Sequence, residues 1–177
     1  MHFDLGDDLV LRSLRAEDAS ELYALIEANR DYLSPWMPWA AGQTLAGTEV
    51  FIRSAIRQER DHDGFQLVLV DRSEICGVAG FHRVDHENNT TSVGYWLAAD
   101  RQGRGLMSRA VGALVSFAFD ELGMHRIELR AAPANAPSRA LAERLGFEEE
   151  GLLRDAERFG DEYRDLVLYA LLVNDPR

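Results

Sequence analysis

Apolar residues recur along the chain in two rhythms, one of period two and one of period 3.6, and so divide it into short strands and helices. Residues 9–14 set Leu, Val and Leu around Arg12 and predict a first strand. Acidic Glu17 and Asp18 suit the first turn of a helix that carries Leu22, Leu25 and Ile26 on one side. That helix is expected to stop at Ser34-Pro35, because a residue before proline avoids the helical region. A second helix is expected from Thr48, burying Phe51, Ile52 and Ile56. Apolar runs at 66–70 and 75–81 flank Asp71-Arg72-Ser73-Glu74 as a hairpin, and a turn at Asn88-Asn89 leads into a strand over 91–98. A helix follows to Phe119, with Leu106, Ala110, Ala113, Leu114 and Phe117 on one face. A strand over 126–131 and a helix over 137–145 come next, the helix stopped by Gly146. Strands over 147–159 and 163–172 close the chain around Gly160-Asp161. The order β-α-α-β-β-β-α-β-α-β-β predicts an α+β (mixed α/β) fold, in one domain over residues 1–177.

The main chemical signal is the turn Arg101-Gln102-Gly103-Arg104-Gly105-Leu106-Met107-Ser108 between the 91–98 strand and the helix after it. A glycine-rich turn opening into a helix aims unpaired N–H groups and the positive end of the helix dipole at one point. Such a point suits a phosphate or pyrophosphate. Gly103 and Gly105 permit unusual φ values and a close approach of ligand to backbone. Arg104 and Arg109 lie in the first turns, where a cation opposes the dipole, and are expected beside a bound anion. The plainer alternative is a tight β–α turn whose glycines serve geometry alone. A dinucleotide fingerprint would need a small residue where Ser108 stands, and a Walker loop would need a lysine, which the chain lacks.

Composition narrows the function classes. All 19 basic residues are arginine, which excludes Schiff-base chemistry. The formal charge of −11 argues against direct nucleic-acid binding and favours cationic partners through steering. No apolar run reaches the ~18–20 residues a bilayer span needs, and the acidic N-terminus lacks an apolar signal core, so no membrane segment is expected. A single cysteine, Cys76, lies in the apolar 75–81 run and reads as a buried thiol in a reducing cytoplasm. The five histidines show no zinc-ligand spacing, so no metal is expected; His82 and His86 flank the Asn88-Asn89 turn and read as solvated turn residues.

With the elements placed, the chain resembles the GNAT superfamily of acetyl-CoA-dependent N-acetyltransferases. The family signature Gln/Arg-x-x-Gly-x-Gly/Ala aligns with Gln102-Gly103-Arg104-Gly105-Leu106-Met107, departing at Met107 where a small residue is usual. Asn135-Ala136-Pro137-Ser138 followed by Arg144-Leu145-Gly146-Phe147 resembles the next helix of the superfamily. Two segments resemble the ribosomal-protein-serine acetyltransferase branch: Asn29-Arg30 with Leu33 and Trp36-Met37-Pro38-Trp39, and Ala156-Glu157-Arg158-Phe159-Gly160-Asp161 with Asp165 and Leu168-Tyr169-Ala170.

The resemblance implies a mostly antiparallel twisted sheet flanked by about four helices. It implies acetyl-CoA on the loop from Gln102 to Ser108, with Gln102, Gly103, Arg104, Gly105, Leu106, Met107, Ser108 and Asn135 contributing. Backbone N–H groups of Leu97 and Ala98 are expected at the thioester. Ser138 is expected to protonate the leaving thiolate, and Glu157 to act as base, directly or through water. Each keeps a plainer alternative: Ser138 as a first-turn hydroxyl, Asn135 as a helix cap, Glu157 as one surface acid among Glu148, Glu149, Glu150 and Asp155. Trp36 and Trp39 are expected to wall the acceptor groove, or else to be core aromatics. The acceptor implied is a protein N-terminal amine, in a ternary complex with a homodimeric enzyme. A small amine (polyamine or amino sugar) and a non-catalytic acyl-CoA-binding module are the alternatives. The acidic charge suits the small amine; Met107 is the support for the module.

Overall fold

A computed structural model describes residues 1–176. Eight strands form one sheet in the order β1-β2-β3-β4-β5-β6-β8-β7. They are β1 (His2–Asp4), β2 (Leu9–Ser13), β3 (Phe65–Asp71), β4 (Glu74–Asp85), β5 (Thr90–Leu97), β6 (Arg126–Ala131), β7 (Glu148–Phe159) and β8 (Glu162–Leu172). All neighbouring pairs are antiparallel except β5 with β6. That parallel pair needs a crossover, which α4 (Leu106–Asp120) supplies. The other helices are α1 (Ala19–Ala28), α2 (Arg30–Leu33), α3 (Leu45–Arg60) and α5 (Ala136–Arg144).

Period-two alternation splits the sheet's side chains between two cores. Leu67 and Leu69 of β3 join Ala110, Val111 and Leu114 of α4 on one face. Val68, Val78 and Trp96 join Leu22 and Ile26 of α1 and Ile52 of α3 on the other. The parallel pairing of β5 and β6 runs only from Thr90↔Arg126 to Val93↔Leu129. Beyond it β5 stays with β4 as far as Leu97, while β6 stays with β8 as far as Ala131. Each strand follows its outer neighbour, so the sheet parts between them.

Local chemistry moved several expected boundaries. α3 starts three residues before Thr48, because extended Thr44 takes the cap and accepts from the Gly47 N–H at 3.1 Å. Thr48 is instead buried within the helix, and Ile56 lies on its exposed side. The first helix ends at Asn29 rather than at Ser34-Pro35. The Asn29 side chain donates to Leu25 O and accepts from the Ala99 N–H, both at 2.9 Å, bracing the end of β5. The short α2 that follows is a fifth helix. β4 runs on to Asp85 through a register shift between Phe81 and Val84, so His82 sits in a strand irregularity and only His86 belongs to the turn.

Candidate active site

A groove of about 1460 Å³ lies at the parting of the sheet, lined by residues from both of its faces. On the α4 and α5 face its floor is the loop 102–108. Gly103 and Gly105 have φ of 70° and 73°, and Gly105 is the N-cap of α4. A glycine there offers no side chain to cap the helix, and no acidic residue occupies its first turn. Among the described residues, none accepts a hydrogen bond from the N–H groups of Gly103, Arg104, Gly105, Leu106, Met107 or Ser108. Five of these residues, all but Arg104, line the groove, so their unpaired donors and the helix dipole face one space, the arrangement that binds a diphosphate. A Cβ at either glycine would meet nothing within 4 Å, so the positive φ, not crowding, requires glycine. Met107 packs its side chain into the α4 core and leaves its N–H on the loop, so the departure from a small residue does not close the cradle.

The two arginines expected beside the anion serve another purpose. Arg104 donates to Asp71 Oδ2 at 2.7 Å, and Arg101 reaches the same oxygen at 2.9 Å. Asp71 ends β3 and is buried; the Arg104 hydrogen bond, against the penalty of burial and with help from Arg101, holds its carboxyl below the usual range. This clamp fixes the loop to the sheet. Arg109 donates to the carbonyls of Leu5 and Gly6 and pins the start of the chain. A cation the sequence reading overlooked, Arg144 at the end of α5, donates to Ser108 Oγ at 3.1 Å and lines the groove beside these N–H groups. Only tertiary contact reveals it, since 36 residues separate it from Ser108. Gln102 donates to the Tyr32 hydroxyl, tying the loop to α2.

At the parting, the Ala98 N–H donates to Cys76 O at 2.8 Å and is unavailable to a thioester. Strand alternation then turns the N–H groups of Leu97 and Tyr95 away from β4, into the gap. Asn135 caps α5, its Oδ1 accepting from the Ser138 N–H at 3.2 Å. The Ser138 hydroxyl lies 2.8 Å from the hydroxyl of Tyr95, a residue the sequence reading did not single out. Burial, opposed by the Ser138 hydrogen bond, pushes the Tyr95 phenol up to about 12. Cys76 is a buried thiol, raised to about 11 by desolvation and then by Asp71.

The opposite face carries aromatic walls. Trp39 lies 6.2 Å from Trp96, and Trp36 lines the same groove. Glu157 enters from β7 beside a register shift, and its Oε2 accepts from Arg164 Nε at 2.6 Å. Arg164 also donates to Pro35 O at 2.9 Å and Trp36 O at 2.6 Å, and stacks 4.1 Å over Phe159. It thus anchors the Trp36 segment to β8. Of the residues expected at the site, Trp36, Trp39, Leu97, Gln102, Gly103, Gly105, Leu106, Met107, Ser108, Asn135, Ser138 and Glu157 line this groove; Ala98 and Arg104 do not. Among the described residues no cluster of three or more His, Cys, Asp or Glu could hold a metal.

A split sheet with a bare helix N-terminus at its mouth defines an acyl-coenzyme A transferase. Residues 8–148 match the family described as "Acetyltransferase (GNAT) domain", and the chain belongs to that family. It is 35% identical over 170 residues to YdaF of Bacillus subtilis (strain 168), provisionally designated a ribosomal N-acetyltransferase, covering 95% of this chain and 93% of that one. It is 33% identical over 174 residues to the [Ribosomal protein uS5]-alanine N-acetyltransferase of Escherichia coli (strain K12), covering 96% and 90%. Among solved structures, the microcin C7 self immunity acetyltransferase MccE in complex with acetyl-CoA and AMP superposes with a TM-score of 0.91 at 29% identity, covering 95% of this chain and 94% of that one. The protein is an acetyl-CoA-dependent N-acetyltransferase, and its loop fits the coenzyme: unpaired N–H groups at the start of α4 for the diphosphate, Arg144 beside them, and the parting for the thioester arm.

Proposed function

We propose that this enzyme acetylates the N-terminal α-amine of a protein, a ribosomal protein being the class its relatives' names indicate, by direct attack within a ternary complex. The observation that carries this reading is that residues from both faces of the sheet line the groove. Coenzyme and acceptor can enter from opposite faces and meet at the edge of β5 near Leu97. Bound acetyl-CoA supplies a thioester carbonyl with a thiolate leaving group. The Leu97 N–H holds the carbonyl oxygen as charge develops. Ser138, supported by its hydrogen bond to Tyr95, protonates the departing sulfur, and Asn135 fixes its turn. Glu157 is the carboxylate for the acceptor's amine: Arg164 holds its Oε2, while among the described residues no donor reaches its Oε1.

The charge of the groove bears on the small-amine alternative. Despite the net charge of −11, the groove carries Arg130, Arg144 and Arg164 against one acid, Glu157, already paired. A polyamine would find little there to neutralise its several cations, whereas a peptide with one amine needs one carboxylate. Cytoplasmic location and a homodimer belong to the same proposal.

The test is an acceptor screen that follows release of the coenzyme thiol. Peptides with a free N-terminus should turn over and the same peptides with a blocked N-terminus should not. Turnover on polyamines or amino sugars with none on any peptide would sink the N-terminal reading.

A further inference from the structure

We infer that His82 is a catalytic residue of the transfer: its imidazole takes the proton from the acceptor's ammonium group before attack. The inference rests on the acetyl-transfer reading of the groove and adds a residue to it.

Geometry brings His82 there. β4 and β5 pair in register up to Phe81↔Val93 and resume at Val84↔Thr91, so His82 and Arg83 form a bulge opposite Ser92. Such bulges redirect a side chain, and here the imidazole turns across β5 onto Gly94. A Cβ at residue 94 would collide with His82 Nε2, so the ring comes this close to the strand only because glycine stands there. Gly94 shares its face of β5 with Trp96, the face on which Trp39 walls the acceptor side. His82 therefore sits on the acceptor side of the parting, one residue from Tyr95, whose hydroxyl meets Ser138 on the other side. Base and acid are divided by the sheet, as a transfer between two faces requires.

The surroundings suit proton acceptance. Gln58 of α3 and Gln66 of β3 line the wall near the ring, and both are neutral. Arg130 of β6 is the charged group acting on the imidazole, while Glu157 of β7 and Arg164 of β8 face the same groove and pair with each other. The ring is exposed at the groove mouth, yet desolvation by the walls, reinforced by Arg130, lowers its pKa below the ordinary value. It is thus neutral, and able to accept, at neutral pH. In its ordinary range an imidazole is a stronger base toward an α-amine than a carboxylate is, and the lowered pKa of His82 keeps it free of a proton between transfers.

The step balances. The ammonium gives one proton to His82 and becomes a neutral amine, whose lone pair forms the N–C bond to the thioester carbonyl carbon as the C–S bond breaks. The thiolate takes a proton from Ser138. The second N–H proton lost as the amide forms replaces it, through Tyr95 or water. Amide, thiol and one proton delivered by His82 to solvent are the products.

The experiment measures kcat, and acetyl-CoA affinity by calorimetry, for His82→Ala and Gly94→Ala, with a free-N-terminus peptide and a polyamine as acceptors. His82→Ala is expected to lower kcat about 100-fold with acetyl-CoA affinity unchanged. Added imidazole should restore part of the rate, in proportion to its unprotonated fraction. Gly94→Ala, which displaces the ring, should lower kcat in the same direction. A loss under threefold in His82→Ala, or a larger loss that imidazole leaves untouched, overturns the assignment. Activity of the parent enzyme on the polyamine alone would sink the N-terminal acceptor but leave this test of His82 intact.

Discussion

The hydroxyl groups of Tyr95 and Ser138 meet at 2.8 Å, one from the free edge of β5 and the other from the first turn of α5. In the proposed transfer the thioester arm passes this pair, and the proton for the leaving sulfur has two hydroxyls behind it. Tyr95→Phe keeps the ring packing and removes one of them. We expect kcat to fall about 10-fold, less than the ~100-fold or more that removing the proton-transferring group itself costs, with acetyl-CoA affinity unchanged. Ser138→Ala should cost more than Tyr95→Phe; equal rates in all three proteins, measured by thiol release, would remove both hydroxyls from the chemistry.

Gly105→Val tests the cradle. A β-branched residue at φ 73° carries a strain of about 1–2 kcal/mol and would turn the N–H groups of the first turn of α4 out of line. The Michaelis constant for acetyl-CoA should rise at least about 10-fold, while that for the amine stays within twofold. Equal increases for both substrates would show that the loop does not hold the coenzyme.

Asp71→Asn tests the clamp on that loop. Loss of a buried carboxylate facing Arg101 and Arg104 is expected to cost about 2 kcal/mol, less than a wholly buried pair because Arg104 is 41% exposed. Weaker acetyl-CoA binding should accompany it. The folded pKa of Asp71 lies below its unfolded value of about 3.9. Its contribution is therefore complete above that value and is lost as pH falls through the folded pKa. Melting curves of parent and variant should differ by a constant amount above pH 5 and converge only below about pH 4; a difference that grows on acidification would contradict the assignment.

Arg164→Met would release both Glu157 and the Trp36 segment, because one guanidinium holds the carboxylate and the carbonyls of Pro35 and Trp36. The Michaelis constant for the amine should rise about 10-fold or more, with acetyl-CoA affinity preserved. A change confined to acetyl-CoA would place the acceptor elsewhere.

Cys76 should resist alkylation by iodoacetamide at pH 8 in the native state, since its buried thiol is raised to about 11, and should react once the chain is unfolded. Mass spectrometry reads the difference directly; rapid native labelling would show that the β4 core opens.

Much of this protein is written locally. The period-two runs that became β3 and β6 and the periodic face of α4 depend on neighbours a few residues away, and they were legible for that reason. The bare turn from Gly103 to Ser108 was legible too, because unpaired N–H groups at a glycine-capped helix start are a property of the segment itself. The cap of α3 fell to Thr44 instead of the expected Thr48, which the structure buries inside the helix.

What the tertiary structure alone decided is which side chains meet. Arg104 reads as an anion ligand along the chain, but the end of β3 brings Asp71 to it. His82 reads as a turn residue, but a bulge in β4 lays it over Gly94, and Arg144 reaches Ser108 only because α5 ends beside the start of α4. Hydrophobic rhythm fixes which face of an element is buried. The partners of a polar side chain are set by the register and crossing of elements far apart in sequence, and those exist only once the sheet has closed around its gap.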